Sequence, residues 1–413
     1  MAFARYRQIF QSRPFSWFWS GFTFSALGDA MTRVALTWFV WETTHSATAL
    51  GWLMLCYTGP ILVGGFVAGP LLDRFDRRRV MIADSLVRGV AVASVPLLNA
   101  AGLLALWHVY LVAAVYGALM MISLAGGPSL IPSIVRREHL ATANALETLS
   151  FTLAGVVGPV AAGLLIGWIG APNVVIADAL SYFTFAFALV RARPAEETGP
   201  TRPAGAPPYG MKDAVRLLLT NPMLFATTFM FMAYNIGGGI LSVWLPILSD
   251  QTLGGGAELY GGLLGALALG EVSSALLVGG GAFSLGLGLM ICVAQTLSGA
   301  SLVIVLAGRS AAVAAVGLFF FGAFSAPLTI WAQTLRMQVI PADLRGRTFA
   351  LLRTLMQGGN PIGGALGGLL LPVLGVPAMV LLSALVIGAP GMLGYQVKGL
   401  REAGRPVVGE VVH

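Results

Sequence analysis

The chain has 413 residues, of which 57% are hydrophobic and only 10% charged, with a formal net charge of +7. A soluble domain runs nearer roughly 45–50% apolar and about 25% charged, so there are too few polar residues here to cover a globule. The composition excludes a soluble globular domain and points to a polytopic membrane protein, built as helices because every backbone group in lipid must be satisfied locally.

At the N-terminus Arg5, Arg7 and Arg13 precede an apolar stretch, Ser16–Trp41. That stretch is too long for the core of a secretory signal and carries no cleavage site, so it is expected to remain as the first span. An apolar run needs roughly 20 residues to cross the hydrocarbon. Runs of that length predict twelve helical spans, near 16–41, 49–72, 80–100, 107–134, 142–168, 172–191, 221–248, 259–281, 284–307, 311–338, 346–370 and 376–397. A barrel does not fit, because the runs are continuous rather than alternating.

Between the second and third spans lies Gly69-Pro-Leu-Leu-Asp73-Arg74-Phe-Asp76-Arg77-Arg78-Arg79, in which six of the last seven residues are charged. Such a cluster beside a bilayer-length run belongs in a tight aqueous turn. After the sixth span, Arg193–Asp213 is rich in Pro, Gly, Thr and Glu, the composition of a linker. It predicts an N-terminal bundle over 1–192, a cytoplasmic linker over 193–213, a C-terminal bundle over 214–398 and a tail over 399–413. With both termini inside, the predicted inner segments hold nearly all of the loop arginines and lysines, and the predicted outer loops hold only Arg309. This is a strong positive-inside bias. The two halves resemble each other: Gly158-Pro159 in the fifth span matches Asn360-Pro361 in the eleventh, 202 positions later, and Arg13-Pro14 and Asn221-Pro222 each open a half. A repeat of this kind marks transporters whose halves rock around a midplane site.

Gly69, Leu71, Asp73, Arg74, Arg77 and Arg78 match the signature Gly-x-Leu-x-Asp-Arg-x-Gly-Arg-Arg of the major facilitator superfamily, with Asp76 where the pattern has glycine. The chain resembles that superfamily. The fifth span carries Ala154-x-x-x-Gly158-Pro159-x-x-Ala162-Gly163, similar to the superfamily's antiporter signature with alanine at two glycine positions. Leu27-Gly28-Asp29-x-x-x-Arg33 and Ala177-Asp178-Ala-x-Ser181 look like the drug–proton antiporter branch that holds macrolide-efflux proteins and the enterobactin exporter. The resemblance implies an all-α fold of twelve transmembrane helices in two pseudo-symmetric six-helix bundles. It also implies an inner gate in which Asp73, with Gly69, Arg74, Arg77 and Arg78, meets the backbone around Arg347–Phe349 at the start of the eleventh span.

Ionisable residues inside spans are functional candidates. Asp29, Glu147 and Glu271 are the expected proton carriers, and Asp29 and Arg33, at i and i+4, could pair on one face. Arg33, Asn235, Gln333, Arg353, Gln357 and Asn360 are expected at the substrate cavity, the last three on one helical face, with Gln295, Trp244 and Trp331 as further candidates. Asp178 reads as a hydrogen-bonded structural residue. No Gly-x-x-x-x-Gly-Lys-Ser/Thr phosphate loop is present, so ATP does not drive the chain directly. No cofactor, metal or nucleic acid is expected.

The reading is a non-enzymatic secondary transporter of a bacterial inner membrane, working as a monomer among membrane lipids. It would export a small amphipathic organic compound, drug-like or metabolite, by proton antiport. Two alternatives stay open: an exporter or facilitator of a specific metabolite such as a siderophore or amino-acid-derived compound, and a non-transporting sensor or lipid scramblase on the same fold.

Overall fold

The computed structural model describes residues 8–192, 211–280, 286–341 and 344–403. Contacts divide the chain into two compact units, Met1–Gly205 with Gly255–Gly265, and Ala206–Gly254 with Ala266–His413.

In the first unit, α1 (Arg13–Thr44), α2 (Ala47–Arg74), α3 (Arg77–Ala100), α4 (Leu106–Ile134), α5 (Leu140–Ile169) and α6 (Ala171–Arg191) are the six long helices. Local chemistry sets their ends. Ser12 Oγ accepts from Phe15 N–H at 3.4 Å, with Pro14 in the first turn where its missing N–H costs nothing. His45, at φ 46°, closes α1 in the left-handed conformation, its N–H donating to Trp41 O at 2.7 Å. Ser46 then caps α2. Asp76 opens α3, its Oδ1 accepting from Arg79 N–H at 2.7 Å. α1 packs on α5 and α6, α2 on α4, and α3 on α4 and α6. An inner core of Phe15, Phe18, Phe22, Ile131, Leu146 and Phe185 ties four of these helices together.

In the second unit, α7 (Met211–Thr220) is a short amphipathic helix. Asn221 separates it from α8 (Pro222–Ile247) and caps α8, its Oδ1 accepting from Met223 and Leu224 N–H at 3.1 Å each. α8 continues as one π-helical turn, Leu248–Thr252. Then come α9 (Gly256–Gly280, whose first turns belong to the first unit), α10 (Leu287–Ile304), α11 (Ala311–Val339), α12 (Arg345–Gln357), α13 (Gly359–Gly394) and the short α14 (Lys398–Glu402). Gly375, at φ 74° and ψ 168°, breaks α13 into two helices, a conformation open to glycine alone. α13 packs on α8 and α10, and α10 on α11.

Ten stretches among the described residues are long and apolar enough to cross a membrane. One of them, Arg347–Gly394, is 48 residues long and becomes two spans at Gly375. α1 is long enough at 32 residues, but Asp29, Arg33, Glu42 and its Ser and Trp residues dilute its apolar character. Counted so, the chain has the twelve expected spans, and their ends fall within a few residues of the sequence reading.

Two segments differ from that reading. Met211–Asp213, taken as the end of the linker, are the first turn of α7, held because Ala214 and Leu218 are buried one turn apart. The rest of the linker lies outside the described residues. The start of the expected tail is also structured: Leu400 is fully buried beside α10, and Ala403 O accepts from Gly288 N–H at 3.2 Å.

Candidate functional site

Four helices of the first unit bring ionisable and hydroxyl side chains together in one cluster. α1 supplies Asp29, α3 supplies Asp84 and Arg88 one turn apart, α4 supplies Tyr116 and Ser123, and α6 supplies Asp178, Ser181 and Tyr182. α1 and α6 come together through Gly28. A Cβ there would sit 2.6 Å from Ser181 Oγ and 2.9 Å from Asp178 Cα, so any larger residue would force the helices apart.

Arg88 is the hub, and it is 1% exposed. Its Nη2 donates to Asp84 Oδ2 at 2.5 Å and also to Ser123 Oγ. Ser123 in turn donates to the same Asp84 oxygen at 3.0 Å. The Arg88 Nη1 donates to Tyr182 Oη at 2.9 Å, and Tyr182 donates onward to Asp29 Oδ1 at 2.5 Å. Asp29 Oδ2 is itself 3.9 Å from Arg88 Nη1. One guanidinium therefore serves two carboxylates, Asp84 at contact distance and Asp29 largely through a tyrosine hydroxyl. The Arg88 guanidinium also lies 4.7 Å from the Tyr182 ring centre and 5.7 Å from that of Tyr116, within cation–π range. Tyr116 stacks on Tyr57 at 5.0 Å, and Arg33 lies 5.9 Å from the Tyr57 ring centre.

The two carboxylates differ in exposure. The Asp84 side chain is fully buried, whereas that of Asp29 is 25% exposed. Asp29 faces a pocket with Phe22, Phe151, Phe185, Met120 and Ser123 around it. Phe22 meets Phe151 edge-on at 5.1 Å and 89°. The site thus offers one reachable carboxylate among phenyl rings, backed by a locked arginine.

The sequence pointed to Asp29 but gave it the wrong partner. No ion pair joins Asp29 and Arg33 among the described residues; α3 and α6 offer Asp29 a cation and a hydroxyl from across the bundle, and Arg33 leans on Tyr57 instead. Asp178 is fully buried and accepts from Ser181 Oγ at 3.1 Å, as a structural residue would. Asp84, Ser123, Tyr116 and Tyr182 were not singled out. The signal available for the first was Asp84-x-x-x-Arg88, a charged pair one turn apart in an apolar run.

The other candidates fall elsewhere. Glu147 is 8% exposed on α5, with its Oε1 where a Cβ on Gly127 of α4 would be, and no hydrogen bond joins it to the Arg88 cluster among the described residues. Glu271 on α9 accepts from Ser325 Oγ of α11 at 3.0 Å. Asn360 Nδ2 donates to Asn235 Oδ1 at 3.0 Å and to Gln357 Oε1 at 2.9 Å, so three predicted cavity amides form one network between α8, α12 and α13. Arg353 and Gln333 are exposed. Gln295 and Trp244 are fully buried packing residues rather than cavity groups: Gln295 Nε2 donates to Met230 O at 2.8 Å and Ile387 O at 3.1 Å, and Trp244 Nε1 donates to Ser383 Oγ at 3.0 Å. Ala154 and Ala162 are buried on α5; Gly158 meets Ala30 of α1, Pro159 is inside α5 and Gly163 meets the backbone of Ala257–Gly261 in the same unit.

In the charge cluster, the Gly69 and Asp73 backbones lie in the last turns of α2; their side chains, and with them the expected contact of Asp73, lie outside the described residues. Arg74 is exposed over the Phe75 ring. Arg77 Nη1 donates to Ser129 O at 3.0 Å, and Arg78 donates to Leu189 O and Val190 O at 2.5 and 2.6 Å, which caps the C-terminal carbonyls of α6.

The profile of the Major Facilitator Superfamily matches residues 18–364. The chain belongs to that superfamily. The uncharacterised MFS-type transporter y4rN of Sinorhizobium fredii is 25% identical over 84% of this chain and 86% of its own length. The enterobactin exporter EntS of Escherichia coli O1:K1 is 28% identical over 80% of this chain and 79% of its own. Among solved structures, the nucleoside transporter NupG has a TM-score of 0.72 at 11% identity, covering 94% of this chain and 99% of that one. A POT family transporter crystallised with a thioalcohol-conjugated peptide has a TM-score of 0.71 at 13% identity, covering 92% and 95%. These two share the fold. Family membership makes this protein an integral membrane transporter.

Proposed function

We propose that this superfamily member exports a small amphipathic organic compound by proton antiport, in a bacterial inner membrane with both termini cytoplasmic. The observation that carries the coupling is the shared guanidinium of Arg88, bonded to buried Asp84 and reaching the accessible Asp29 through Tyr182. Asp29 is the proton carrier on this reading, ahead of Glu147 and Glu271, because it combines access with partners that respond to its charge. When Asp29 is ionised, Arg88 and Tyr182 hold it. When it takes a proton it releases its claim on both, and Arg88 settles on Asp84. Substrate and proton compete for the same carboxylate, which is the condition for exchange. Phe22, Phe151 and Phe185 give Asp29 apolar neighbours for an amphipathic ligand, in a cavity of about 30 Å³ that must widen to admit one.

The direction of transport rests on the similarity to EntS and on the fifth-span signature. The Asp73 cluster is assigned as the inner gate, on the family signature, with Arg77 and Arg78 fastening that turn to their own bundle. Asn235, Gln357 and Asn360 are assigned as substrate-contacting amides of the second bundle.

The test begins with thermal-shift screening of the purified protein against ethidium, a macrolide and a catecholate siderophore. The ligand that binds is then loaded into proteoliposomes under an imposed pH gradient. Efflux should follow the gradient and stop when the gradient is collapsed. In Asp29→Asn, ligand movement should no longer depend on the gradient. Full gradient-driven efflux by an Asp29→Asn, Glu147→Gln double variant would remove the carboxylate assignment, and movement indifferent to the gradient in the parent protein would make it a facilitator.

A further inference from the structure

We propose that α7 is an interfacial anchor that binds an anionic lipid surface and fastens the second unit to the membrane. Met211, Val215 and Leu219 stand at i, i+4 and i+8, so they form one stripe along the helix. They are 46%, 38% and 65% exposed. Directly beside that stripe run Lys212 and Arg216, also one turn apart and also exposed. The side of the helix that adjoins the other edge of the stripe is already committed. Ala214 and Leu218 are buried, and Leu217 and Leu218 join a core with Leu224, Ile340, Leu344 and Leu352. The helix therefore cannot roll to hide its outer stripe without leaving that core.

Its place in the chain names the partner. Asn221 alone separates α7 from the membrane span that begins at Pro222. On the first turns of that span Phe225 and Phe229 are 42% and 55% exposed, again one turn apart. A helix at the end of a span, with an apolar stripe bordered by basic side chains, suits the boundary between acyl chains and headgroups. The two cations match a negative surface rather than a neutral one. A stripe three side chains long is far short of the roughly 800 Å² per partner that a stable protein interface needs. Because α7 also packs on α12, which carries Arg353 and Gln357, lipid binding holds the base of the eleventh span as well.

Spin labels on the full-length protein in vesicles test this. In a Cys56→Ala, Cys292→Ala background, Leu219→Cys reports the stripe and Thr220→Cys the polar face. Vesicles of phosphatidylcholine alone are compared with vesicles that also contain phosphatidylglycerol. With phosphatidylglycerol present, the Leu219→Cys label should be reached by oxygen several-fold better than by a water-soluble nickel chelate, and the Thr220→Cys label should show the reverse. Lys212→Gln with Arg216→Gln should bring the Leu219→Cys label back to its behaviour in phosphatidylcholine. Both charges are on the surface, and an unchanged unfolding temperature in detergent would show that the fold survives their loss. Equal nickel access at the two positions overturns the anchor. A label shielded from both reagents indicates a protein partner or a second copy, and overturns it too. Protection that is the same with and without phosphatidylglycerol overturns the anionic preference.

Discussion

At the scale of single residues, the buried charges of Asp84 and Arg88 stand or fall together. Among the described residues Arg88 is held by Asp84, Asp29, Ser123 and Tyr182, and it is 1% exposed. Removing one member of a buried pair leaves an uncompensated charge, at a cost of about 3–5 kcal/mol, whereas removing both is far milder. Arg88→Met should therefore lower the unfolding temperature sharply, and Asp84→Asn added to it should restore much of the loss. Independent, additive effects in that double-mutant cycle would mean that the two groups are not coupled. Tyr182→Phe should be gentler, since it deletes one hydroxyl between Arg88 and Asp29 at about 1–3 kcal/mol. On the transport reading it should also weaken the dependence of efflux on the pH gradient. The candidate site was half legible in the sequence. Asp29 stood out as a carboxylate in an apolar run, but its partners Arg88 and Tyr182 are 59 and 153 positions away along the chain, and the nearest cation, Arg33, was chosen because a helix brings i and i+4 together. That rule knows nothing of what a neighbouring helix offers. Tyr116 and Tyr182 could not be told from lipid-facing aromatics until the packing of α3, α4 and α6 placed them against Arg88.

At the scale of elements, caps and close contacts decide where helices begin and how near they approach. Asp76 departs from the superfamily's glycine, and the structure gives the departure a local role, since its side chain caps α3. Asp and Ser are among the best N-caps, alanine costs about 1 kcal/mol, and glycine costs only a few tenths. Asp76→Ala should therefore speed hydrogen exchange at the Arg79 amide and lower the unfolding temperature slightly, while Asp76→Gly should be almost silent. Equal effects of the two would argue against a cap. Gly28 is the opposite case: Gly28→Leu would push a branched side chain into Asp178 and Ser181, and folded protein recovered after detergent extraction should fall steeply. Most element boundaries were readable because apolar length and flanking Pro, Ser, Asp and Asn mark them. The elements that were not readable are those set by packing. The first turn of α7 was hidden in linker-like composition, and the helix is held by Ala214 and Leu218. The turn at Leu400 is held by burial beside α10. Gly375 was legible as a break between runs, and its positive φ supplies the reason.

At the scale of the whole chain, the distribution of arginine makes a prediction about orientation that does not depend on the transport chemistry. Basic residues are retained on the cytoplasmic side because moving them across the membrane during insertion is unfavourable, and the bias counts most in short loops. Arg136 lies in the connection between α4 and α5, and Arg309 in the connection between α10 and α11; both side chains are exposed. Counting spans from a cytoplasmic N-terminus puts the first connection after four spans and the second after nine, so they must open on opposite sides. Arg136→Cys and Arg309→Cys, each in the Cys56→Ala, Cys292→Ala background, should respond oppositely to a membrane-impermeant maleimide. Spheroplasts should label Arg309→Cys and spare Arg136→Cys, and inverted vesicles should do the reverse. Labelling of both from one side would mean that the number of spans between them is even. The error would then most naturally sit at the α9–α10 connection, the one inner loop that carries no charge, because nothing in its sequence resists being moved across.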